Sequence, residues 1–380
     1  MKKFLPIVFF LCSFSLINAQ TATSVTNGNW LNPLTWDCLC VPLPGYSVTI
    51  NHDVILDTDF ACSAGFIVIN SGGSLVQNTN NRNLWVYGNS YVSNFGTLTV
   101  QNFLYEGTAS VLTNTGTITN GNLFLTTGMY NAGDVIADSL YNNDTLANTG
   151  TITVNAFTNA VNCYNVGDIN FHDFSNIGHF INSEGVLTGT HNMWNQGFFV
   201  NVTASMVFLE NDLLNTNLLT EDAHIFNDGW IIAGNGFYNF DTISGYIGYY
   251  QVADTSFNDG YFYGTFDFCD LTPPANAPFI DINTGIIDPN ITWCIQQNVP
   301  QFVSEMVTIY PNPADDYLEF NIDTENAYLR IYDYTGKMIK SSFVETSTGI
   351  IRTEDLLPGL YYLEVETPDS RQLKKIVIQR

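Results

Sequence analysis

Between residues 20 and 300, the groups able to do acid–base or metal chemistry are nineteen Asp, four Glu, five His, six Cys and one Arg. Two well-placed carboxylates suffice for glycoside hydrolysis, one as acid and one as base or nucleophile. Asp134 and Asp168 hold the same phase of a repeat described below, with Thr151 on the coil between them, and they read as solvated surface charges. Lyase chemistry on uronates needs a Lys or Arg base and cations to bind the substrate carboxylates, which Arg82 alone cannot supply. The histidines His52, His172, His179, His191 and His224 lack the i, i+4 or alternate-strand spacing of a metal site. Asn-Asp-Gly at Asn227 and Asn258 offers oxygens of the kind that Ca²⁺ takes, but it is first of all a turn. No Gly-x-Ser-x-Gly elbow, phosphate loop or dinucleotide fingerprint is present. The residues thus point to no catalytic group, no metal and no cofactor. A glycoside hydrolase with a carboxylate pair on one face is the alternative.

Charge divides the chain. Residues 20–300 carry one cation against twenty-three acids, whereas residues 301–380 carry eight cations against thirteen. A body with one cation cannot neutralise phosphates along a nucleic acid, and it repels polyanionic glycans. Neutral ligands remain open to it. Residues 1–19 have the layout of a secretory signal: Lys2 and Lys3, an apolar run from Phe4 to Leu16, and a small-residue site ending at Ala19. That run is too short to span a bilayer. Export permits disulfides. Cys62 is expected to pair with Cys38 or Cys40, and Cys269 with Cys294, each staple closing one end of the body. Cys163 lies within the repeats and reads as a buried thiol.

Self-similarity is the strongest signal. Asn-x-Gly recurs at Asn114, Asn131, Asn148 and Asn165, and the same seventeen-residue step lands on Asn182. Flanking copies stand at Asn94, Asn195, Asn227 and Asn258, with Asn211 and Ile243 dividing the long gaps, so that steps of fifteen to seventeen run to about residue 270. Apolar residues keep phase. Leu98, Ile118, Val135, Ile152 and Ile169 follow by four, Phe103, Leu123, Leu140, Phe157 and Phe174 by nine, and Tyr130, Ala147, Tyr164, Ile181, Trp194, Phe226 and Phe257 stand just before. One such repeat cannot bury its apolar row alone, but coils stacked about 4.8 Å apart turn each row into a continuous ladder. The expected fold is therefore all-β, a parallel β-helix or β-solenoid of eleven or twelve coils over residues 76–270. Asn and Gly suit its corners because they tolerate positive φ, and an Asn amide can bond to the coils above and below. Tyr246, Tyr249, Tyr250, Tyr261 and Tyr263 cluster near the end of the body, as core packing or as a binding surface.

Before the repeats, Asn27-Gly28-Asn29-Trp30, Thr35-Trp36, Val41-Pro42 and the alternating run Val48 to Leu56 resemble the G8-like segment that opens many exported solenoids. That resemblance implies an N-terminal cap over residues 20–75. A C-terminal cap and linker are expected over residues 271–305.

From residue 306 the pattern becomes seven short alternating strands, Val307 to Tyr310 first and Leu373 to Ile378 last, in about seventy-five residues. This count suggests a small immunoglobulin-like β-sandwich. Pro311 and Pro313 should stiffen the entry to its first strand, and Gly336 and Gly359 should permit hairpin turns. Tyr310-Pro311-Asn312-Pro313, the run Leu329 to Gly336-Lys337, Leu357-Pro358-Gly359 and the terminal Lys374-Lys375-Ile376-Val377-Ile378 resemble the type A sorting domain of the type IX secretion system of Bacteroidetes. The resemblance implies export across the periplasm and outer membrane by that translocon, removal of residues 306–380 by its sorting peptidase, and attachment of the cargo to surface lipopolysaccharide. An adhesin-like surface protein with no nucleic-acid partner is the resulting expectation, its partners neutral glycans or other cells.

Overall fold

The computed structural model describes residues 20–379 apart from 110, 218–221, 274–278, 296–306, 323–325, 334–337 and 367–370. The signal segment, the linker at 296–305 and the turn residues Gly336 and Lys337 lie outside the described residues. The chain forms two compact units, one ending at Gln296 and one starting at Gln297.

The named strands of the first unit pair in parallel, each residue standing on its counterpart one coil earlier. One sheet stacks fourteen strands, from Thr21–Thr23 to Ile286–Ile287. A middle coil shows the plan. Thr145–Asn148 lies in this first sheet, Thr151–Asn159 in the second, and Asn162–Asn165 returns to the first, with Thr145 opposite Asn162. In Thr151–Asn159 the in–out alternation slips: Ile152 and Val154 point inward, Asn155 and Ala156 both point outward, and Phe157 and Asn159 point inward again. That slip bends the strand and makes a third, polar corner. Strand pairing also begins before the repeats, since Ser47–Ile50 and Phe66–Ile69 continue the first sheet. Trp30 and Trp36 are buried at this end, where the Trp36 Nε1–H donates to the Trp30 carbonyl at 2.9 Å. Apart from a 3₁₀ turn at Pro33–Thr35, no helix occurs among the described residues.

The rows four and nine residues after each corner Asn face the core, from Leu98 to Ile169 and from Phe103 to Phe174. The row just before the Asn does not. Tyr130 and Tyr164 are exposed and Ala147 and Ile181 half-buried, because a strand alternates and the Asn itself takes the inward position. Its inward companions stand two residues earlier, at Leu112, Met129, Leu146, Cys163 and Phe180.

The corner asparagines are fully buried and joined side chain to side chain. Asn114 Nδ2 donates to Asn131 Oδ1, Asn131 to Asn148 and Asn148 to Asn165 at 2.7 Å each, and Asn165 to Asn182 at 2.8 Å. This ladder runs from Asn94 to Asn227. At its start Asn94 Oδ1 finds no donor, because Ile69 occupies the matching place on the coil before. A second ladder, unforeseen in the sequence, links Asn142, Asn159, Asn176, Asn195, Asn215, Asn239, Asn258 and Asn283 at 2.7–2.8 Å. Asn195 and Asn258 belong to this one, not to the first. The strict step also ends at Asn182: the next rungs of the first ladder come after 19 and 26 residues, so the expected fifteen-to-seventeen spacing does not persist. Extra residues bulge out as longer turns while the stacked positions keep register.

The corner glycines serve close approach rather than positive φ, which none of Gly116, Gly133, Gly150 and Gly167 adopts. A Cβ on Gly150 would stand 2.1 Å from the Gly133 carbonyl oxygen, and one on Gly167 2.0 Å from that of Gly150.

Cys269 and Cys294 pair as expected, with Cα atoms 4.5 Å apart, and Cys163 is a free buried thiol that burial pushes well up in pKa. Cys62 is free, contrary to expectation. It points into the core from strand Phe60–Cys62, while Cys38 and Cys40 sit together on the preceding surface loop and bond to each other.

Among its described residues the second unit has seven antiparallel strands in two sheets, one of three strands and one of four. Leu318, Phe320, Ile322, Leu329, Ile331, Leu363, Val365, Ile376 and Ile378 meet between them, as in a small β-sandwich.

Replacing Asn148 by Ala would take one acceptor from the Asn131 amide and the Asn148 donor from the buried Asn165 side-chain carbonyl. Asn148→Ala should destabilise the body by roughly 2–5 kcal/mol in thermal or chemical unfolding. Asn155→Ala, at the exposed corner, should change stability by no more than about 0.5 kcal/mol. Gly150→Ala should cost about 1–3 kcal/mol or more through backbone collision.

Candidate functional site

In the second unit, Tyr310 closes strand Val307–Tyr310 and Pro311 and Pro313 follow it, so the prolines shape the exit of the first strand, not its entry. There Asn312 Oδ1 accepts the Val377 N–H at 2.8 Å, and the Ala314 N–H donates to the Val377 carbonyl at 2.8 Å. Two motifs 65 residues apart in sequence are thereby tied together: Tyr310-Pro311-Asn312-Pro313 and the terminal strand Arg371–Ile378 that carries Lys374 and Lys375. In strand Ala327–Asp333, Leu329 and Ile331 point into the sandwich, while Arg330 points out and pairs at 3.3 Å with buried Glu364. Pro358 precedes strand Gly359–Glu366, which belongs to the four-stranded sheet, whereas the strand before it, Thr348–Arg352, belongs to the other. Gly359 therefore lies on a crossing between sheets rather than in a hairpin turn. Residues 308–379 match the family model of the secretion system C-terminal sorting domain. The second unit is a Por secretion tail.

Besides this match, part of the chain is similar to a solved structure of PorZ, a bacterial surface component of the type-IX secretion system of Porphyromonas gingivalis. The identity is 18%, the TM-score is 0.18, and the overlap covers 21% of this chain and 13% of that one. At that score the likeness carries no argument about either unit. No curated protein gives a significant match to the chain.

The solenoid places the remaining candidates by coil. On the outer side of the first sheet, one column runs Thr145, Asn162, His179, Phe198, His224, Thr242 and Tyr261. The column beside it runs Ser93, Thr113, Tyr130, Ala147, Tyr164, Ile181, Val200, Phe226, Ser244 and Tyr263. Neither contains an Asp, Glu, Lys or Arg. The acids lie elsewhere: Asp134 and Asp168 on the second sheet with Thr151 between them, and Asp138, Asp173 and Asp212 along the polar corner. Of the tyrosine cluster, Tyr249 and Tyr250 are core residues, whereas Tyr246, Tyr261 and Tyr263 are more than half exposed. Sequence reading missed the uncharged face because it appears only when the outward positions of the first sheet are aligned coil by coil, across turns of unequal length.

The histidines separate into kinds. His52 Nδ1 meets the Ser24 hydroxyl at 3.1 Å near the first coil. His179 and His224 flank Phe198 on the uncharged face, and burial lowers the pKa of His224. His172 and His191, expected to be isolated, lie on successive coils with their rings stacked at 4.8 Å.

Among the described carboxyls of the body, Asp270 has a raised pKa. Burial lifts Asp270 above the usual 3.8, against the opposing hydrogen bonds from the Ser256 hydroxyl and the Thr272 N–H. These bonds hold it as part of the last coils, beside the Cys269–Cys294 bridge. A carboxyl whose pKa is raised on folding contributes stability at acid pH and loses it as pH rises through the folded value. In unfolding scans at pH 4 and pH 7, the stability of Asp270→Asn relative to the unaltered chain should shift in the variant's favour at the higher pH.

Proposed function

We propose that this protein is an adhesin-like component of the cell surface, without enzymatic activity, whose solenoid offers its uncharged sheet face to neutral polysaccharide. The sorting tail marks the chain for handling by the type IX secretion system and for delivery to the cell surface or beyond. Residues 1–19 act as the signal that starts this route. Attachment to surface lipopolysaccharide after removal of the tail is the finer form of the same reading.

The observation that carries the binding role is the contrast within the body. A unit with twenty-three acids and one arginine keeps two adjacent outward columns of one sheet free of charge. Such a face holds hydroxyls, amides and aromatic rings at strand spacing. Tyrosine rings stack on the apolar faces of sugars, and their hydroxyls hydrogen-bond. Tyr130, Tyr164 and Tyr261 supply exposed rings along the face. Because the surrounding acids repel polyanions, the chemistry favours uncharged glycan chains over acidic ones.

Deleting residues 307–380 in the producing cell should leave the body inside the cell envelope, as measured by surface protease accessibility and medium fractions; unaltered delivery would remove the export claim. Full-length protein should bind neutral polysaccharides on an array without releasing reducing sugar. Tyr130→Ser together with Tyr164→Ser should weaken that binding about tenfold or more, at roughly 1–3 kcal/mol for stacked rings. Reducing-sugar release by the purified protein would instead favour a glycoside hydrolase.

A further inference from the structure

The third corner carries a ladder of its own. Asn102 Nδ2 donates to Asn83 Oδ1 and Asn122 Nδ2 to Asn102 Oδ1, each at 2.6 Å, and the Ser139 hydroxyl donates to Asn122 Oδ1 at 2.7 Å. Ala156 then interrupts it, and at the next coil the position becomes Asp173. Here two histidines join. His191 Nδ1 lies 2.7 Å from Asp173 Oδ1, and His172 Nδ1 lies 3.0 Å from the Thr190 hydroxyl. An ionised carboxylate only accepts, so the His191 Nδ1 carries the proton and its Nε2 keeps a free lone pair. His172 takes the same arrangement when its Nδ1 donates to Thr190. The rings are 10° from parallel with centroids 4.8 Å apart, the distance between successive coils.

We infer that His172, Asp173 and His191 bind one divalent transition-metal ion, of the zinc, nickel or copper class. A nitrogen of each ring and a carboxylate oxygen of Asp173 lie within 4.8 Å of one another. Metal–nitrogen bonds of about 2.0–2.1 Å require the donors to draw somewhat closer. His172 is exposed and Asp173 and His191 are half-buried, so the cluster is open to an ion from solvent. Imidazole nitrogens select these ions over Ca²⁺ and Mg²⁺, which prefer oxygen. A carboxylate that orients a ligating histidine and balances the charge is a recurrent partner of such sites. The surrounding charge of the body, one cation against twenty-three acids, draws the ion in.

The stacked geometry distinguishes this pair from His179 and His224, which are separated by Phe198 on the uncharged face. Those two serve as the control.

Equilibrium dialysis and titration calorimetry of the full chain with ZnCl₂ provide the test. One zinc ion should bind per chain, and His172→Gln and His191→Gln should each weaken binding at least tenfold. Asp173→Asn, which removes a carboxylate ligand and the charged acceptor of the His191 Nδ1–H, should also weaken it at least tenfold. His179→Gln should change nothing. All variants should keep the circular dichroism and metal-free melting temperature of the unaltered chain, which separates lost ligation from lost folding. Absence of stoichiometric zinc binding, or binding that survives in the His172→Gln/His191→Gln double variant, would overturn the assignment. Failure here leaves the polysaccharide face untouched, since the two sites share no residue.

Discussion

Two of the three corners of each coil turn asparagine side chains inward, and the ladders these form are how the body satisfies the buried polar groups. Each carboxamide accepts from the coil before and donates to the coil after, so an interior rung is complete only when both neighbours are in register. The amide also reaches backbone carbonyls of its own turn, as Asn148 does to Gly150 at 3.2 Å. A buried amide without such partners would cost on the order of 1–3 kcal/mol. The ladders therefore reward correct stacking and penalise a slip by one residue, which would carry every Asn to the outside. Hydrophobic rows alone would tolerate more disorder.

The glycines act with the asparagines. They bring consecutive turns close enough that no Cβ fits between Gly133, Gly150 and Gly167. Once both corners are fixed, the outer surface has a fixed geometry. Side chains seventeen or more residues apart fall into columns at strand spacing, and charge can be sorted column by column. The acids lie on the second sheet and at the corners, Asp144 and Asp241 among them, leaving the outward columns of the first sheet without a carboxylate.

Much of this was legible in the sequence, and the reason is periodicity. Four equal steps from Asn114 to Asn182 identify one corner, and the rows led by Leu98 and Phe103 follow from it. The second ladder escaped notice because Asn142, Asn159 and Asn176 are not followed by a fixed glycine. The in–out sense of Tyr130 and Tyr164 was misread because the Asn, expected at a corner, is the last inward residue of a strand, which turns the residue before it outward. The stacking of His172 on His191 was hidden by a nineteen-residue coil: with turns of variable length, no constant sequence interval marks spatial neighbours. Cys62 illustrates the same limit, since its inward direction depends on a strand phase that spacing between cysteines does not reveal. The sorting unit was easier, because strand alternation and its motifs both lie in short local stretches; the link between Asn312 and Val377, which joins distant motifs, needed the fold.

The central claim is that the asparagine side chains form continuous buried rungs from coil to coil. Hydrogen exchange of the side-chain carboxamides, followed by NMR with selective ¹⁵N-asparagine labelling, measures this directly. Asn131, Asn148, Asn159 and Asn165 should exchange orders of magnitude more slowly than exposed Asn155. Rates for these four equal to that of Asn155 would contradict the account.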